Sequence, residues 1–404
     1  MLDYLLGLLA DILNLRALRL EPPASLKDVY TQETYGKSQK YIRENTLFGL
    51  LSGAFNLALL LIFWFAGGFN WFDFIVRSWG FASIANGILY TGILALGYGL
   101  LTLPFDIYGT FVIEQRYGFN RTTWRTFIAD RLKGLMLAAV LGLPLLAGIL
   151  ALFELAGPFA WLYCWAAVTL YLLFIEFAAP RWIMPLFNKF TPLGEGELRT
   201  AILDYSGSVK FPVSNIFVMD GSRRSSKSNA FFSGFGRSKR IALFDTLIAR
   251  HTVPELVAVL AHEIGHYKKR HILWGLLLSI LHSGIIFFLL SLLINTPGLY
   301  AAFYMTQPSV YTGLIFFGLL YTPLELVLSL LTNMLSRKYE YAADRYAAQT
   351  VADPQSMVVA LKKLSSDNLS NLTPHPLYVF LHYSHPPLLQ RVQAIQQAAG
   401  SRPG

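Results

Sequence analysis

The sequence predicts an all-α protein that crosses a membrane several times and carries a mixed α+β domain on one side of it. The chain of 404 residues is 54% hydrophobic and only 14% charged, whereas soluble domains average about 25% charged residues. Several apolar runs reach the length of a membrane-spanning helix. Nearly all Lys and Arg residues fall on one side of those runs, which fixes a consistent topology.

Six runs are long and apolar enough to span a bilayer, because each approaches or exceeds about 20 residues. Five carry no charge, and the sixth carries only Glu325. The runs are Leu47–Gly67, Ser78–Phe105, Gly134–Phe153, Leu155–Ile175, Ile272–Ile294 and Val310–Leu335. The segment Leu2–Leu15 is short and contains two aspartates. It is either a seventh span or a helix lying at the interface.

The charge distribution gives the orientation. Of the 33 basic residues, only Arg77 falls in a loop on the side opposite to the others, and the basic side is the cytoplasmic one. The net charge of +9 is therefore a topology signal, and we expect a lipid bilayer but no nucleic acid as partner. The compact size and the short C-terminal tail favour a bacterial inner membrane, with the endoplasmic reticulum as the alternative.

The polar parts of the chain suggest four regions. Residues 1–177 form an N-terminal membrane region, and residues 272–335 form a transmembrane hairpin. Residues 178–271 and 336–404 lie on the cytoplasmic side and are expected to fold together as one domain. The single cysteine, Cys164, excludes a disulfide or a Cys zinc site within one chain.

The sharpest motif is His262-Glu263-Ile264-Gly265-His266. Pro254 suits a first helical turn, and the apolar residues after it recur at helical spacing. The spacing of four therefore places His262 and His266 on one helix face, where two imidazoles can bind one zinc ion. Glu263 lies beside them and can act as general base on a water molecule. The pattern predicts a zinc peptidase; the alternative is a helix with surface histidines near lipid headgroups.

A catalytic zinc needs a third protein ligand. We expect the zinc helix to continue into the span that starts at Ile272, and the next span to return the chain to the same membrane level at Ser336. Glu340 is then the natural third ligand, and Asp344 one turn later can accept a hydrogen bond from a ligand histidine. Arg337 can pair with either carboxylate. The alternative is an amphipathic helix with ordinary charge pairs at a spacing of four.

Two apolar runs, Ile216–Met219 and Ile241–Phe244, are typical of short strands. Asn229, Ala230 and Phe231 lie between them. An edge strand can pair with an extended peptide through main-chain hydrogen bonds. Asn229 by itself is equally consistent with a turn.

Together these motifs make the sequence resemble the type I CAAX prenyl proteases, membrane zinc endopeptidases that process prenylated C-termini. The resemblance runs over most of the chain. Its motifs are His262-Glu263-x-x-His266, Ser336-Arg337-x-x-Glu340-x-x-Ala343-Asp344, Ser384-His385-Pro386-Pro387 followed by Arg391, Asn229-Ala230-Phe231, Phe111–Glu114 with Gly118–Asn120, and Asn188–Leu193.

The resemblance implies a ring of about seven membrane helices around a water-filled chamber, capped on the cytoplasmic side by a zincin-like domain. It implies one Zn²⁺ per chain, held by His262, His266 and Glu340, with Glu263 as the base. Asn229, with Ala230 and Phe231, would bind the substrate backbone. His385 would steady the oxyanion or the substrate. The substrate would be a peptide or protein, possibly prenylated.

The sequence does not decide the roles of two sets of charged residues. Glu325 and Glu176 lie at membrane depth, where a carboxylate either faces a chamber or snorkels to the interface. A basic cluster surrounds the expected edge strand. It can attract a carboxylate or anionic headgroups, or can simply follow the positive-inside bias. Its members are Arg223, Arg224, Lys227, Arg237, Lys239 and Arg240.

Three functions compete. The first is the prenyl-protein endopeptidase, and the second is a broader membrane quality-control zinc protease on the same scaffold. The third, a transporter or channel using Glu325 and Glu176, does not explain the zinc motif. An intramembrane protease would place its zinc helix within a span. Here the basic run Lys268-Lys269-Arg270 places the motif at the cytoplasmic edge.

Overall fold

The polar and apolar segments separate in space in the computed structural model, which describes residues 1–27, 30–211, 213, 215–233 and 240–400, with only the backbone of residues 231–233. The helices that belong to the membrane region and the hairpin are α1 Leu2–Arg16, α2 Gln32–Phe65, α3 Gly68–Ser78, α4 Ser83–Tyr108, α5 Trp124–Leu137, α6 Leu143–Leu155, α7 Ala160–Ala178, α8 Met184–Phe187, α12 His271–Leu293, α13 Pro297–Ala301 and the first half of α14 Val310–Thr350. The remaining helices are α9 Glu197–Ser208, α10 Asp245–Ile248, α11 Val253–Lys268, α15 Pro354–Asp367, α16 Pro376–His382 and α17 Leu388–Gly400. The strands are β1 Phe190–Pro192, β2 Asn215–Met219, β3 Ala230–Ser233 and β4 Arg240–Phe244.

Six helical segments within the described part of the chain are long and apolar enough to cross a membrane. Each contains or largely overlaps one of the six runs expected from the sequence. Two of the segments join neighbouring helices through a wider π-helical turn, at 138–142 and 179–183, and the segment Ser83–Glu114 ends in such a turn at 109–114. The segments are Gln32–Phe65, Ser83–Glu114, Trp124–Leu155, Gly157–Phe187, His271–Leu293 and Val310–Thr350.

Helix α1 is too short to meet the same criterion. Its 15 residues extend about 22 Å, less than the hydrocarbon core of about 30 Å. Its end is held by the C-terminal part of the chain, because the buried Asn14 side chain accepts hydrogen bonds from Asn371 Nδ2 and from the backbone of His375, both at 3.1 Å. The span and the interfacial interpretations of Leu2–Leu15 therefore both remain predictions.

The four strands form one sheet in the order β1-β2-β4-β3. Strand β2 is parallel to β4, and β1 and β3 are antiparallel to their neighbours. The two strands predicted from the apolar runs are confirmed as β2 and β4. Strand β3 pairs only with β4 among the described strands and so forms one edge of the sheet.

Helix α11 lies in the core of the domain that residues 190–268 and 336–400 form outside the membrane-spanning segments. Its apolar side chains pack with those of β4, α14, α15 and α17 in one core. Gly265 allows the close crossing of α11 and α14, because a Cβ added there would lie 3.1 Å from Ala343 Cα and 3.2 Å from Ala343 O. Backbone atoms cannot move aside as a flexible side chain can. This crossing brings the two predicted ligand helices together.

The zinc helix does not continue into the following span, so that expectation was wrong. Helix α11 ends at Lys268, Arg270 adopts the left-handed conformation with φ 59°, and α12 begins at His271. A single left-handed residue ends the helical hydrogen-bond pattern and redirects the chain. Helix α14 behaves differently, since its 41 residues run without a break from the span into the domain despite Pro323.

Candidate metal centre and substrate cleft

The two histidines of the motif lie one turn apart on α11, as their spacing predicts. Their Nε2 atoms are 3.1 Å apart. The N-terminus of this helix is stabilised by Glu255. Its carboxylate accepts a hydrogen bond from the Thr252 backbone and forms an ion pair with Lys363 Nζ at 2.7 Å. Burial acts to raise the pKa of Glu255, but the hydrogen bonds from Lys363 and Thr252 outweigh it and hold the pKa below its ordinary value.

Glu340 of α14 completes a three-residue group with His262 and His266. Its Oε1 lies 3.2 Å from His266 Nε2, and its Oε2 lies 3.5 Å from His262 Nε2. Tetrahedral zinc with bonds of about 2.0–2.1 Å places its ligands about 3.3 Å apart. Glu340 Oε2 is buried and accepts no hydrogen bond from any residue that the structure describes. The donor set, spacing and orphaned oxygen therefore fit a zinc ion.

Asp344 and Arg391 support the first histidine from behind. Asp344 Oδ1 lies 2.9 Å from His262 Nδ1, which leaves Nε2 directed towards Glu340. Arg391 binds both oxygens of Asp344, at 2.7 and 2.8 Å, and its Nη2 lies 3.4 Å from Glu340 Oε2. The guanidinium thus neutralises two buried carboxylates at once. The sequence motif contained Arg391, but its role emerges only from this geometry.

His271 supports the second histidine. Its Nδ1 lies 3.1 Å from His266 Nδ1. Its ring stacks on Tyr339 with centroids 4.0 Å apart and planes 11° from parallel. The sequence analysis missed His271, whose only signal was its position five residues after His266.

Glu263 faces a cavity of about 360 Å³ that also contains the three candidate metal ligands, Tyr339 and His385. Burial raises the pKa of the Glu263 carboxyl, an effect that the nearby histidines reduce. A carboxylate with a raised pKa is suited to accept and return a proton near neutral pH. The general-base position predicted for Glu263 is thus compatible with its surroundings.

A second, larger cavity of about 750 Å³ adjoins the first and shares His385 with it. His385 Nε2 lies 3.4 Å from Glu340 Oε1, and its side chain remains 63% exposed. Asn229 lines the same larger cavity and is exposed just before β3. Its Oδ1 accepts a hydrogen bond from the Ala230 backbone at 2.9 Å. The side chain of Phe231 lies outside the described part of the structure.

Arg337 does not pair with either carboxylate, so that expectation was wrong. Its Nη1 instead donates to the carbonyl oxygens of Tyr383 and Val379, at 2.5 and 3.3 Å. These bonds tie α14 to α16 and to the loop that carries His385. The ion pair expected of Arg337 is made by Arg391 of α17.

Three of the four cluster residues that the structure describes are engaged within the protein. Arg224 forms a bidentate pair with Asp130, at 2.7 and 2.9 Å, and Lys227 pairs with Glu114 at 3.1 Å. Arg240 donates to the Pro180 carbonyl at 3.2 Å. Arg223 is exposed, and Arg237 and Lys239 lie outside the described residues.

The two carboxylates expected at membrane depth differ in their partners, although both are exposed. Glu325 Oε2 lies 3.1 Å from His282 Nε2, and Tyr321 lies 2.9 Å from the same nitrogen. These contacts link α12 to α14 within the hairpin. Glu176 is exposed at the surface of α7.

Comparisons with known proteins cover nearly the whole chain. Residues 11–189 match the model of the CAAX prenyl protease N-terminal region with five membrane helices, and residues 192–399 match that of peptidase family M48. The CAAX prenyl protease 1 homolog of Arabidopsis thaliana is 38% identical over 405 residues, covering 97% of this chain and 94% of that protein. CAAX prenyl protease 1 of Saccharomyces cerevisiae is 35% identical over 410 residues, covering 92% and 88% respectively.

A solved structure shows the same architecture. The crystal structure of S. mikatae Ste24p superposes with a TM-score of 0.92 at 34% identity, covering 97% of this chain and 96% of that one. These matches confirm the fold class, the multi-pass membrane character and the peptidase family expected from the motifs. The chain belongs to the CAAX prenyl proteases of peptidase family M48 and is a membrane metalloendopeptidase.

Proposed function

We propose that the protein is a zinc-dependent endopeptidase that cleaves prenylated CAAX-type substrates near their C-terminus. The observation that carries the proposal is the convergence of His262, His266 and Glu340 beside Glu263 in one cavity. Through His385 this cavity adjoins the larger one that Asn229 lines, just before the edge strand β3. The names of the relatives support the substrate class. One Zn²⁺ per chain would be held by the three converging residues.

The reaction is hydrolysis of a peptide bond. A bound zinc ion supplies Lewis acidity and brings the pKa of a water molecule to about 7. Glu263 takes a proton from the attacking water as the new C–O bond forms, and delivers it to the leaving amine as the C–N bond breaks. His385 donates a hydrogen bond to the developing oxyanion. Asn229 and the backbone of β3 bind the substrate as an added strand.

The same proposal covers membrane orientation and domain limits. The cleft would face the cytoplasm, with residues 178–271 and 336–404 forming the protease domain around the hairpin 272–335. Four of the six candidate spans lie before residue 190, so α1 would supply the fifth helix of the N-terminal region 1–177. The relatives named above come from a plant and a yeast, and they lend no support to a bacterial membrane.

The decisive experiment compares a farnesylated CAAX peptide with its unprenylated twin, using mass spectrometry to locate the cut. Purified protein is tested beside Glu263→Gln and a matched control, Glu197→Gln, whose carboxylate is exposed on α9. We expect cleavage only of the farnesylated peptide, lost in Glu263→Gln with zinc retained. Equal cleavage of both peptides would instead indicate the broader membrane protease. Full activity of Glu263→Gln would refute the mechanism.

The ligand assignment has its own test. Zinc content measured by elemental analysis should be one per chain, and should fall in His262→Ala and Glu340→Ala. Removing one of three ligands leaves two, which is too few for a stable catalytic site. Wild-type zinc content in either variant would contradict the assignment.

A further inference from the structure

We propose that Glu114 and Lys227 form a clamp through which the membrane region positions the substrate strand β3. The clamp consists of Glu114, Tyr41 and Lys227, and it acts on the approach segment, residues 224–229, which leads into β3. This inference rests on the proposed function, because it assigns β3 as the strand that pairs with substrate.

The approach segment lies against the loop between α4 and α5. Arg121 N donates to Arg224 O, and Ser226 N donates to Phe119 O, both at 3.0 Å. Ser226 Oγ adds a hydrogen bond to Gly118 O at 2.9 Å. Two stretches of the chain about a hundred residues apart are thus paired like short antiparallel strands. The position of the approach segment is therefore set by the membrane region.

The clamp lies at the end of this pairing. Lys227 Nζ lies 3.1 Å from Glu114 Oε2 and 2.8 Å from Tyr41 Oη, while Tyr41 donates its hydroxyl proton to Glu114. The ammonium also lies 4.5 Å above the ring of Phe119 and 5.2 Å above that of Tyr41. One cation is held by a carboxylate, a hydroxyl and two ring faces. Such a set of partners defines its position from several directions.

The fixed position is passed on to Asn229, two residues further along the chain. Lys227 O accepts a hydrogen bond from Thr246 Oγ1 at 3.0 Å. Ser228 exchanges two hydrogen bonds with the side chain of Asn368, at 3.2 and 3.3 Å. Lys227 and Asn229 line the same cavity as His385. The Lys227 ammonium and these backbone bonds thus hold the same short stretch of chain, so we expect loss of the ammonium contacts to loosen the start of β3.

The clamp is suited to positioning rather than to general stability. The side chains of Lys227 and Glu114 remain 36% and 27% exposed, and partly exposed ion pairs contribute little to the free energy of unfolding. A displaced strand would instead weaken substrate binding, because main-chain hydrogen bonds to an added strand depend on the position of the edge. The clamp and the pairing use Glu114 and residues 118–120 of two motifs that the metal centre does not use.

The test measures cleavage kinetics of the farnesylated CAAX peptide in Lys227→Met and Glu114→Gln. We expect KM to rise about tenfold while kcat stays within about twofold, with zinc content and melting temperature unchanged. Lys227→Arg should retain most activity, because it keeps the cation. Arg116→Gln is the matched control, since Arg116 is exposed two residues after Glu114 and its ion pair is with Glu44 of α2. Loss of zinc or a lower melting temperature in both clamp variants would overturn the proposal.

A double-mutant cycle with Asn229→Ala separates the clamp from the proposed function. If Lys227 acts through the strand, the losses in kcat/KM of Lys227→Met and Asn229→Ala will be clearly less than additive. Two outcomes would refute the clamp but leave the proposed function standing. One is that the losses in kcat/KM are additive. The other is that Asn229→Ala raises KM while Lys227→Met leaves KM unchanged. An unchanged KM in Asn229→Ala would refute the substrate strand itself.

Discussion

Replacing Asp344 by Asn is expected to weaken zinc binding without removing a ligand. Asp344 is 1% exposed at its side chain, and its Oδ1 lies 2.9 Å from His262 Nδ1. The carboxylate holds the imidazole proton on Nδ1, which leaves the Nε2 lone pair free for a metal ion. Asparagine has nearly the same shape but no negative charge, so this preference weakens.

Removing such a partner typically costs about 10- to 100-fold in metal affinity, equivalent to about 1.4–2.8 kcal/mol. The same substitution leaves the Arg391 guanidinium with one carboxylate fewer. A buried group left without its partner costs about 1–3 kcal/mol of folding stability. The two effects are separable, because excess zinc restores occupancy but not the lost ion pair.

Zinc affinity is measured by competition with a chromophoric chelator, and folding is measured by thermal melting at saturating zinc. Asp204→Asn is the matched control, since Asp204 is exposed on α9. We expect wild-type zinc affinity in the control. In Asp344→Asn we expect the Kd for zinc to be about 10- to 100-fold higher, as is typical when a residue that orients a metal ligand is replaced. A Kd within about twofold of wild type in a well-folded Asp344→Asn protein would refute the role assigned to this carboxylate.

Three further outcomes are expected. Gly265→Ala should lower the free energy of unfolding by about 1–3 kcal/mol and reduce zinc content, because the added Cβ meets the backbone of α14. Thermal melting and elemental analysis measure the two effects. Neither should change in Gly275→Ala, where an added Cβ meets no described atom within 4 Å. The lowered pKa of Glu255 stabilises the fold above its ordinary value of 4.5, and this contribution is lost as the pH falls through the lowered value. Lys363→Met should therefore destabilise the protein by about 1–3 kcal/mol at pH 7. The melting temperature of this variant should depend less on pH between about 5 and 3 than that of the wild type. Parallel pH profiles of the two melting temperatures would contradict this. His271→Phe should raise the Kd for zinc by about tenfold, and an unchanged Kd would exclude a role in orienting the neighbouring ligand.

Much of the candidate site could be predicted because its information is local. Residues four apart on a helix share a face whatever surrounds them, so the motifs at His262 and Glu340 each define half of a ligand set. The hairpin between them could also be predicted, because two apolar spans must return the chain to the same membrane level. The strands β2 and β4 followed from their short apolar runs.

Other features depend on contacts between distant parts of the chain. The sequence suggested a helix continuing past Lys268, but the left-handed conformation of Arg270 has no local signal in a non-glycine residue. Arg337 and Arg391 have the same charge, and only the direction from which α17 approaches α14 decides which one reaches Asp344.

Short-range patterns in the sequence were enough to predict the membrane class and the residues able to hold a metal ion, because hydropathy and helical periodicity act over short stretches of chain. The tertiary structure decided how these residues are supported. Arg391, His271 and the pair Glu114–Lys227 gained their roles where separate elements meet. Those roles depend on distances and burial, which arise only when the whole chain is packed.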